Sequence, residues 1–255
     1  MGMHWTSWNK KMQIKGILFD KDGTLIDYYK SWGVATAPVA DKLLEYYNID
    51  KTDENREKLV DGIDPYGGLA YKTFSMVAQD LIPIISELNH EIIISERHLA
   101  QKLKSFYQKE ILRLGENIPC IADLAKIMEE FSKRNKKIGI ATTDTYEATK
   151  QTMKILCAEK YISNYFTDEM PIDMPVKPDG KLLDIVAKNW NTKPENIVVV
   201  GDTVNDMKFA HNGNAIAVGV LSGVGTEKDL EVCADYIIPS IKELSDLIDQ
   251  IEKEK

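Results

Sequence analysis

Ile17-Leu18-Phe19-Asp20-Lys21-Asp22-Gly23-Thr24-Leu25 is the stretch from which the fold is read. A short apolar run ends in two carboxylates one residue apart and then meets a glycine, the pattern of a buried strand with its acids at the mouth. Open α/β sheets bind their ligands at the carboxyl ends of the strands. A carboxylate with an ordinary pKa of about 3.9 is ionised at neutral pH. On that footing Asp20 can attack phosphorus without a base to activate it, leaving Asp22 to handle protons.

Working outward, residues 14–19 form the expected first strand. From about residue 31 to 114 only helical signals follow, with Val39, Leu43, Leu44 and Tyr47 on one face and Leu99, Leu103, Phe106 and Tyr107 on another. The turn Asp64-Pro65-Tyr66-Gly67-Gly68 interrupts this inserted helical block. Strand and helix signals then alternate. An amphipathic helix through Ile121, Leu124, Ile127, Met128 and Phe131 precedes a strand at 138–141; further helices carry Met153, Leu156 and Cys157, then Leu182, Leu183, Ile185, Val186 and Trp190. Strands at 197–200, 215–218 and 236–238 and a closing helix at 241–251 complete the series. Such alternation predicts an α/β fold, a Rossmann-like parallel sheet covered on both faces, interrupted by an all-helical insert. The expected division is an N-terminal extension at 1–13, an α/β core at 14–30 and 113–255, and the insert at 31–112.

Composition narrows the function classes. With 44% hydrophobic and 28% charged residues, the 255-residue chain is expected to be a folded globular protein rather than a disordered or fibrous one. A formal net charge of -8 argues against a nucleic-acid surface, which needs clustered Lys and Arg. The one basic cluster, Lys133-Arg134-Asn135-Lys136-Lys137, is expected to be a solvated helix end. Cys120, Cys157 and Cys233 are too scattered for a disulfide framework or a zinc cluster and are expected in the core. The first 13 residues hold no apolar run long enough for a signal peptide or membrane span, and Met12 is a possible alternative start. A cytoplasmic location with no membrane partner is expected.

Three further stations bear on phosphate chemistry. Val200-Gly201-Asp202-Thr203-Val204-Asn205-Asp206 puts one acid at a strand end and a second near a helix start. Like charges about 4 Å apart cost on the order of 4 kcal/mol at an effective dielectric of about 20, so Asp20, Asp22, Asp202 and Asp206 need a cation among them. Mg²⁺, a hard ion that takes oxygen ligands beside phosphates, suits that need. Asp206 also reads as a helix cap, a role compatible with orienting such a site. Ala141-Thr142-Thr143-Asp144 offers a hydroxyl and free backbone N–H groups where a helix begins, as an anion site or as a plain threonine cap. Lys177, expected to be extended ahead of Pro178, is placed to reach both Asp20 and a phosphate.

These stations resemble the haloacid dehalogenase superfamily, whose four motifs appear in order as Asp20-Lys21-Asp22-Gly23-Thr24, Thr142, Lys177, and Gly201-Asp202 through Asp206. The resemblance covers residues 14–19 and the chain from about 119 onward, including Ala217-Val218-Gly219-Val220 and Ala234-Asp235-Tyr236-Ile237-Ile238-Pro239. The insert falls where the phosphoglycolate phosphatase-like branch carries its helical cap. By this resemblance Asp20 is the nucleophile that forms an aspartyl-phosphate, and Asp22 protonates the leaving oxygen and later activates water. Mg²⁺ is implied on the Asp20 side chain, the Asp22 backbone carbonyl and Asp202, with Asp206 orienting them. Thr142 and the N–H of Thr143 are implied phosphate ligands, and Lys177 steadies the charge. Lys21 departs from the apolar residue of many relatives.

The implied activity is phosphate-ester hydrolysis on 2-phosphoglycolate or another small phosphorylated metabolite, since the second acid, Asp22, is the mark of that reaction within the superfamily. A phosphomutase keeps the same stations and is the nearest rival; a non-enzymatic phosphorylated signalling domain is the more distant one. Tyr28, Tyr29 and Trp32 read either as a hinge or pocket wall or as core packing, and the turn at 64–68 as a loop over the site or an outward surface turn. His90 and His98 lack zinc-protease spacing. Gly219, Gly223 and Gly225 lack the downstream acid of a dinucleotide loop. Nothing in the sequence marks an oligomeric interface.

Overall fold

The computed structural model describes residues 13–66, 68–167, 175 and 177–254. Apart from Gln13, the expected N-terminal extension lies outside those residues, as does Gly67 of the turn at 64–68. Strand β1 (Gly16–Phe19) is followed by helices α1 (Val34–Tyr46), α2 (Asp53–Ile63), α3 (Gly68–Tyr71), α4 (Phe74–Leu88) and α5 (Glu96–Arg113). Then come α6 (Leu124–Lys133), β2 (Lys137–Ala141), α7 (Tyr146–Ile155), β3 (Asn164–Phe166), α8 (Lys181–Asn189) and β4 (Ile197–Gly201). The chain ends through α9 (Val204–Asn212), β5 (Ile216–Val220), α10 (Glu227–Leu230), β6 (Tyr236–Ile238) and α11 (Leu244–Glu254). Two compact units result. One comprises Ile26–Cys120 and Glu147–Cys157, and the other the remaining described residues.

The second of these is an α/β unit built on one six-stranded sheet of order β3-β2-β1-β4-β5-β6, parallel throughout. The sequences GILF, IVVVG and IAVGV of β1, β4 and β5 are buried at every position. Continuous rather than alternating apolarity is what a parallel sheet covered on both faces requires. From β1 the chain builds outward to β2 and β3, then returns to β1's other side for β4, so the order reverses between β1 and β4. In open α/β sheets ligand-binding crevices form at such switch points, beyond the carboxyl ends of the strands. The register brings those ends level, with Phe19 opposite both Ile140 and Val200.

Trp190, at the carboxyl end of α8, packs across the sheet's glycines. A Cβ on Gly16 would sit 2.3 Å from the indole, and one on Gly139 would sit 2.8 Å from it. The indole N–H donates to Asn164 Oδ1 at 2.7 Å, which fixes the ring over that bed. Gly16→Ala is therefore expected to destabilise the protein by about 1–3 kcal/mol through overpacking. Urea unfolding checks this, and an unchanged midpoint would mean that the ring can yield.

The other unit is helical, and three of its helix starts are capped locally. Thr52, Thr73 and Ser95 accept hydrogen bonds from the backbone N–H groups of Asn55, Met76 and His98 and so cap α2, α4 and α5. Leu43, Leu44, Leu81, Ile85, Leu99 and Leu103 are buried. Trp32 stacks on Tyr107 with ring centroids 5.1 Å apart, and the Tyr107 hydroxyl pairs with Thr36 Oγ1 at 2.8 Å. Of the aromatic trio considered from sequence, Tyr28 and Trp32 are buried, while Tyr29 is exposed and stacks on Tyr66. His90 and His98 are both exposed. No helix among the described residues is long and apolar enough to cross a membrane.

Several expectations are corrected. Strand β3 was not anticipated: it is a three-residue edge strand, Asn-Tyr-Phe, without the paired isoleucines that mark the equally short β6. The α7 helix ends at Ile155, and Cys157 adopts the left-handed region (φ 55°) beyond it. Cys157 is exposed rather than in the core, while Cys120 and Cys233 are half-buried, Cys233 packing against the apolar core of the sheet. The basic cluster is not wholly solvated either. Lys136 is buried, its ammonium donating to the carbonyl of Ile14 at 2.8 Å and pairing with Glu252, which also accepts from Ile14 N. A lysine between a helix and a strand is thus used to tie the closing helix to the start of β1.

Candidate active site

The backbone N–H of Asp20 donates to the Val200 carbonyl at 2.8 Å, so the residue leaves β1 still bonded to β4. Its Oδ1 accepts from Lys177 Nζ at 2.6 Å, and the same ammonium donates to Asp206 Oδ1 at 2.7 Å. Lys177 thus bridges two carboxylates. It lies in a turn, and its peptide bond to Pro178 is cis.

Asp206 is the helix cap that its sequence context suggests. As the third residue of α9 it completes a capping box, its Oδ2 accepting from Thr203 N (3.1 Å) and Oγ1 (2.6 Å), while Thr203 Oγ1 accepts from Asp206 N. The cap leaves Oδ1 for Lys177.

Asp202 follows β4 and is buried, with 1% of its surface exposed. One oxygen, Oδ2, accepts from Val224 N at 2.9 Å; the other, Oδ1, is buried and has no hydrogen-bond partner among the described residues. Glycines form its cradle. A Cβ on Gly23 would lie 2.2 Å from the carboxylate and one on Gly223 would lie 2.0 Å from it, and Gly23 also holds φ +88°. The Gly225 N–H donates to the Asp202 carbonyl, and Ser222 Oγ donates to the Gly23 carbonyl at 2.8 Å. The glycines set aside as a failed dinucleotide pattern therefore include two that shape this site. A sequence signal existed: small residues crowd just after β5, at the same end of the sheet as both acidic motifs.

Carboxylate oxygens of Asp20, Asp202 and Asp206 lie within 4.8 Å of one another. Hard oxygen donors, one of them buried and orphaned, are a fitting set for a hard divalent cation. Asp22 is not in this group; its carboxylate faces Lys21, with Oδ2 3.0 Å from Nζ. Thr142 and Thr143 follow β2, the neighbour of β1. The Thr142 N–H donates to the Phe166 carbonyl and its hydroxyl accepts from Asp144 N at 3.2 Å, while Thr143 is exposed. The structure thus joins Asp20, Lys177, Asp202 and Asp206 directly, and sets Asp22, Thr142 and Thr143 on the adjoining strand ends.

Burial dominates the electrostatics. Desolvation pushes the Asp20 carboxyl up to about 7 despite Lys177, with Asp206 and Asp22 adding to the rise. Burial and the neighbouring acids thus oppose ionisation of Asp20, and Lys177 favours it. Asp202 is held well above the usual carboxylate range, first by burial and then by Asp20 and Asp206. Burial alone would lower Lys177, but Asp20 and Asp206 hold its ammonium above the ordinary lysine value. One ammonium among three carboxylates leaves a deficit of positive charge.

Sequence reasoning missed one buried pair. Lys21, noted only as an unusual residue, is 1% exposed and donates to Asp144 Oδ2 at 2.8 Å as well as facing Asp22.

Over residues 14–214 the chain is similar to the family described as haloacid dehalogenase-like hydrolase. It is 24% identical to the pyrophosphatase PpaX of Bacillus mycoides over 247 residues, 94% of this chain and 99% of that protein. It is 23% identical to a phosphoglycolate phosphatase of Vibrio vulnificus over 241 residues, 93% and 97% of the two chains. The crystal structure of a β-phosphoglucomutase from Clostridium difficile superimposes with a TM-score of 0.64 at 17% identity, covering 95% of this chain and 98% of the other, which is a likeness of fold.

Proposed function

We propose, since the chain belongs to the haloacid dehalogenase-like hydrolase family, that it is a Mg²⁺-dependent phosphatase acting on a small phosphorylated metabolite of the phosphoglycolate kind. The observation that carries this reading is the meeting of Asp20, Lys177, Asp202 and Asp206 at the point where the strand order reverses. The names of the phosphatase relatives lend it support.

In this mechanism an Asp20 carboxylate oxygen bonds to phosphorus as the bond from phosphorus to the ester oxygen breaks. Asp22 gives its proton to that departing oxygen. Asp22 then takes a proton from water as the water oxygen attacks the phosphorus of the aspartyl-phosphate, which releases inorganic phosphate and restores Asp20. The Thr142 hydroxyl and the Thr143 N–H hold phosphate oxygens, and Lys177 balances charge on Asp20 and on the substrate. Mg²⁺, held by the Asp20 and Asp202 side chains and the Asp22 carbonyl with Asp206 orienting them, supplies neutralisation of the phosphoryl charge. Residues 31–112 act as a cap that selects the substrate.

The test is phosphate release from a panel of phosphorylated metabolites. EDTA is expected to reduce release to background and Mg²⁺ to restore it; full activity without metal would count against the carboxylate site. A phosphomutase shares this core fold. That rival would reveal itself by converting one sugar phosphate into another without proportionate release of phosphate.

A further inference from the structure

We propose that Lys21 and Asp144 are positioning residues that hold the Asp22 carboxyl in register with Thr142, so that proton delivery to the leaving oxygen depends on this buried pair. The inference rests on the phosphatase reading above.

A continuous chain of contacts carries it. Thr142 Oγ1 accepts from Asp144 N at 3.2 Å, Asp144 Oδ2 accepts from Lys21 Nζ at 2.8 Å, and that ammonium lies 3.0 Å from Asp22 Oδ2. Asp144 is itself anchored, its Oδ1 accepting from Thr145 N at 2.7 Å just before α7 begins. The contacts therefore link the loop after β1 to the loop after β2, and they join the proposed proton donor to the proposed phosphate ligand. Lys21 is 1% exposed, whereas the side chain of Asp22 is 18% exposed. The ammonium is thus buried, while the acid it contacts keeps some access to solvent.

Stability alone does not explain such a pair. Buried ions lose hydration, and an apolar side chain of similar length would fill the same space without that penalty. A charged pair does what an apolar residue cannot, which is to fix a carboxylate by direction as well as by volume.

The experiment compares two esters that give the same phosphoenzyme, p-nitrophenyl phosphate and n-propyl phosphate, through kcat/KM with Mg²⁺ present. The step compared is cleavage of the ester bond as Asp20 bonds to phosphorus. Nitrophenolate leaves as a stable anion, whereas the propyl oxygen needs the proton of Asp22. Lys21→Met is expected to lower kcat/KM for n-propyl phosphate by roughly 10²-fold while changing p-nitrophenyl phosphate far less. Lys21→Met removes the ammonium that donates to the buried Asp144 carboxylate, so Lys21→Met/Asp144→Asn is measured beside it, and thermal melts check the fold of each. The double variant is expected to show the same selective loss. A double variant that loses both esters equally, retains both, or does not fold would make the pair part of the scaffold and overturn the positioning role. A wild-type protein that cleaves neither ester would instead overturn the phosphatase reading, and this inference with it.

Discussion

Asp20→Asn is expected to abolish turnover, lowering phosphate release by on the order of 10⁴-fold or more, while the protein remains folded. An amide nitrogen cannot act as the nucleophile, and the amide oxygen is a far weaker one than a carboxylate. Stability is expected to survive because Lys177 keeps its 2.7 Å contact with Asp206 and because one of three crowded carboxylates has lost its charge. Phosphate release, together with acid-quenched mass spectrometry for a covalent phosphoryl group on Asp20, measures the outcome. Wild-type release from a folded Asp20→Asn protein would falsify the nucleophile assignment.

Asp202→Asn is expected to separate catalysis from stability. Its carboxylate is buried, one oxygen lacks a partner among the described residues, and burial holds its pKa well above the usual range. Such a raised value has a definite sign. The unfolded chain releases the proton near the ordinary carboxylate pKa while the folded chain retains it, so this group's contribution to stability is present at low pH and declines as pH rises. Asparagine does not titrate. The metal-free variant is therefore expected to gain on metal-free wild type as pH rises above the ordinary carboxylate range. With Mg²⁺ in large excess the order reverses. A ligand at about 100 times its Kd stabilises by about 2.7 kcal/mol, which for a chain of this size raises Tm by roughly 5–10 °C. Wild type is expected to show that rise, and Asp202→Asn to lose it along with about 10³-fold in phosphate release. Equal Mg²⁺-induced shifts in the two proteins would remove Asp202 from the metal site.

Much of the fold is legible because parallel strands buried on both faces must be continuously apolar, and residues 197–200 and 216–218 can hardly be read otherwise. The convergence of Asp20, Asp202 and Asp206 is legible for the same reason: strand ends of one parallel sheet lie on one side, so acids just beyond them are neighbours. What is hidden depends on contacts between distant residues. Asn164–Phe166 is an edge strand whose pairing with Gly139–Ala141 leaves no periodic trace. Lys21 and Lys136 look like surface lysines until their partners, Asp144 and Glu252, each more than a hundred residues away, are known. Gly223 and Gly225 have meaning only beside Asp202.

The reversal of strand order between β1 and β4 also governs how activity is acquired. Asp20 and Asp202 are far apart in sequence and meet only where β1 pairs with β4. The stretch 177–206 carries Lys177, Asp202 and Asp206 but not Asp20, so the full cluster closes only when β1 and β4 pair. It is a property of that long-range pairing and of neither segment alone.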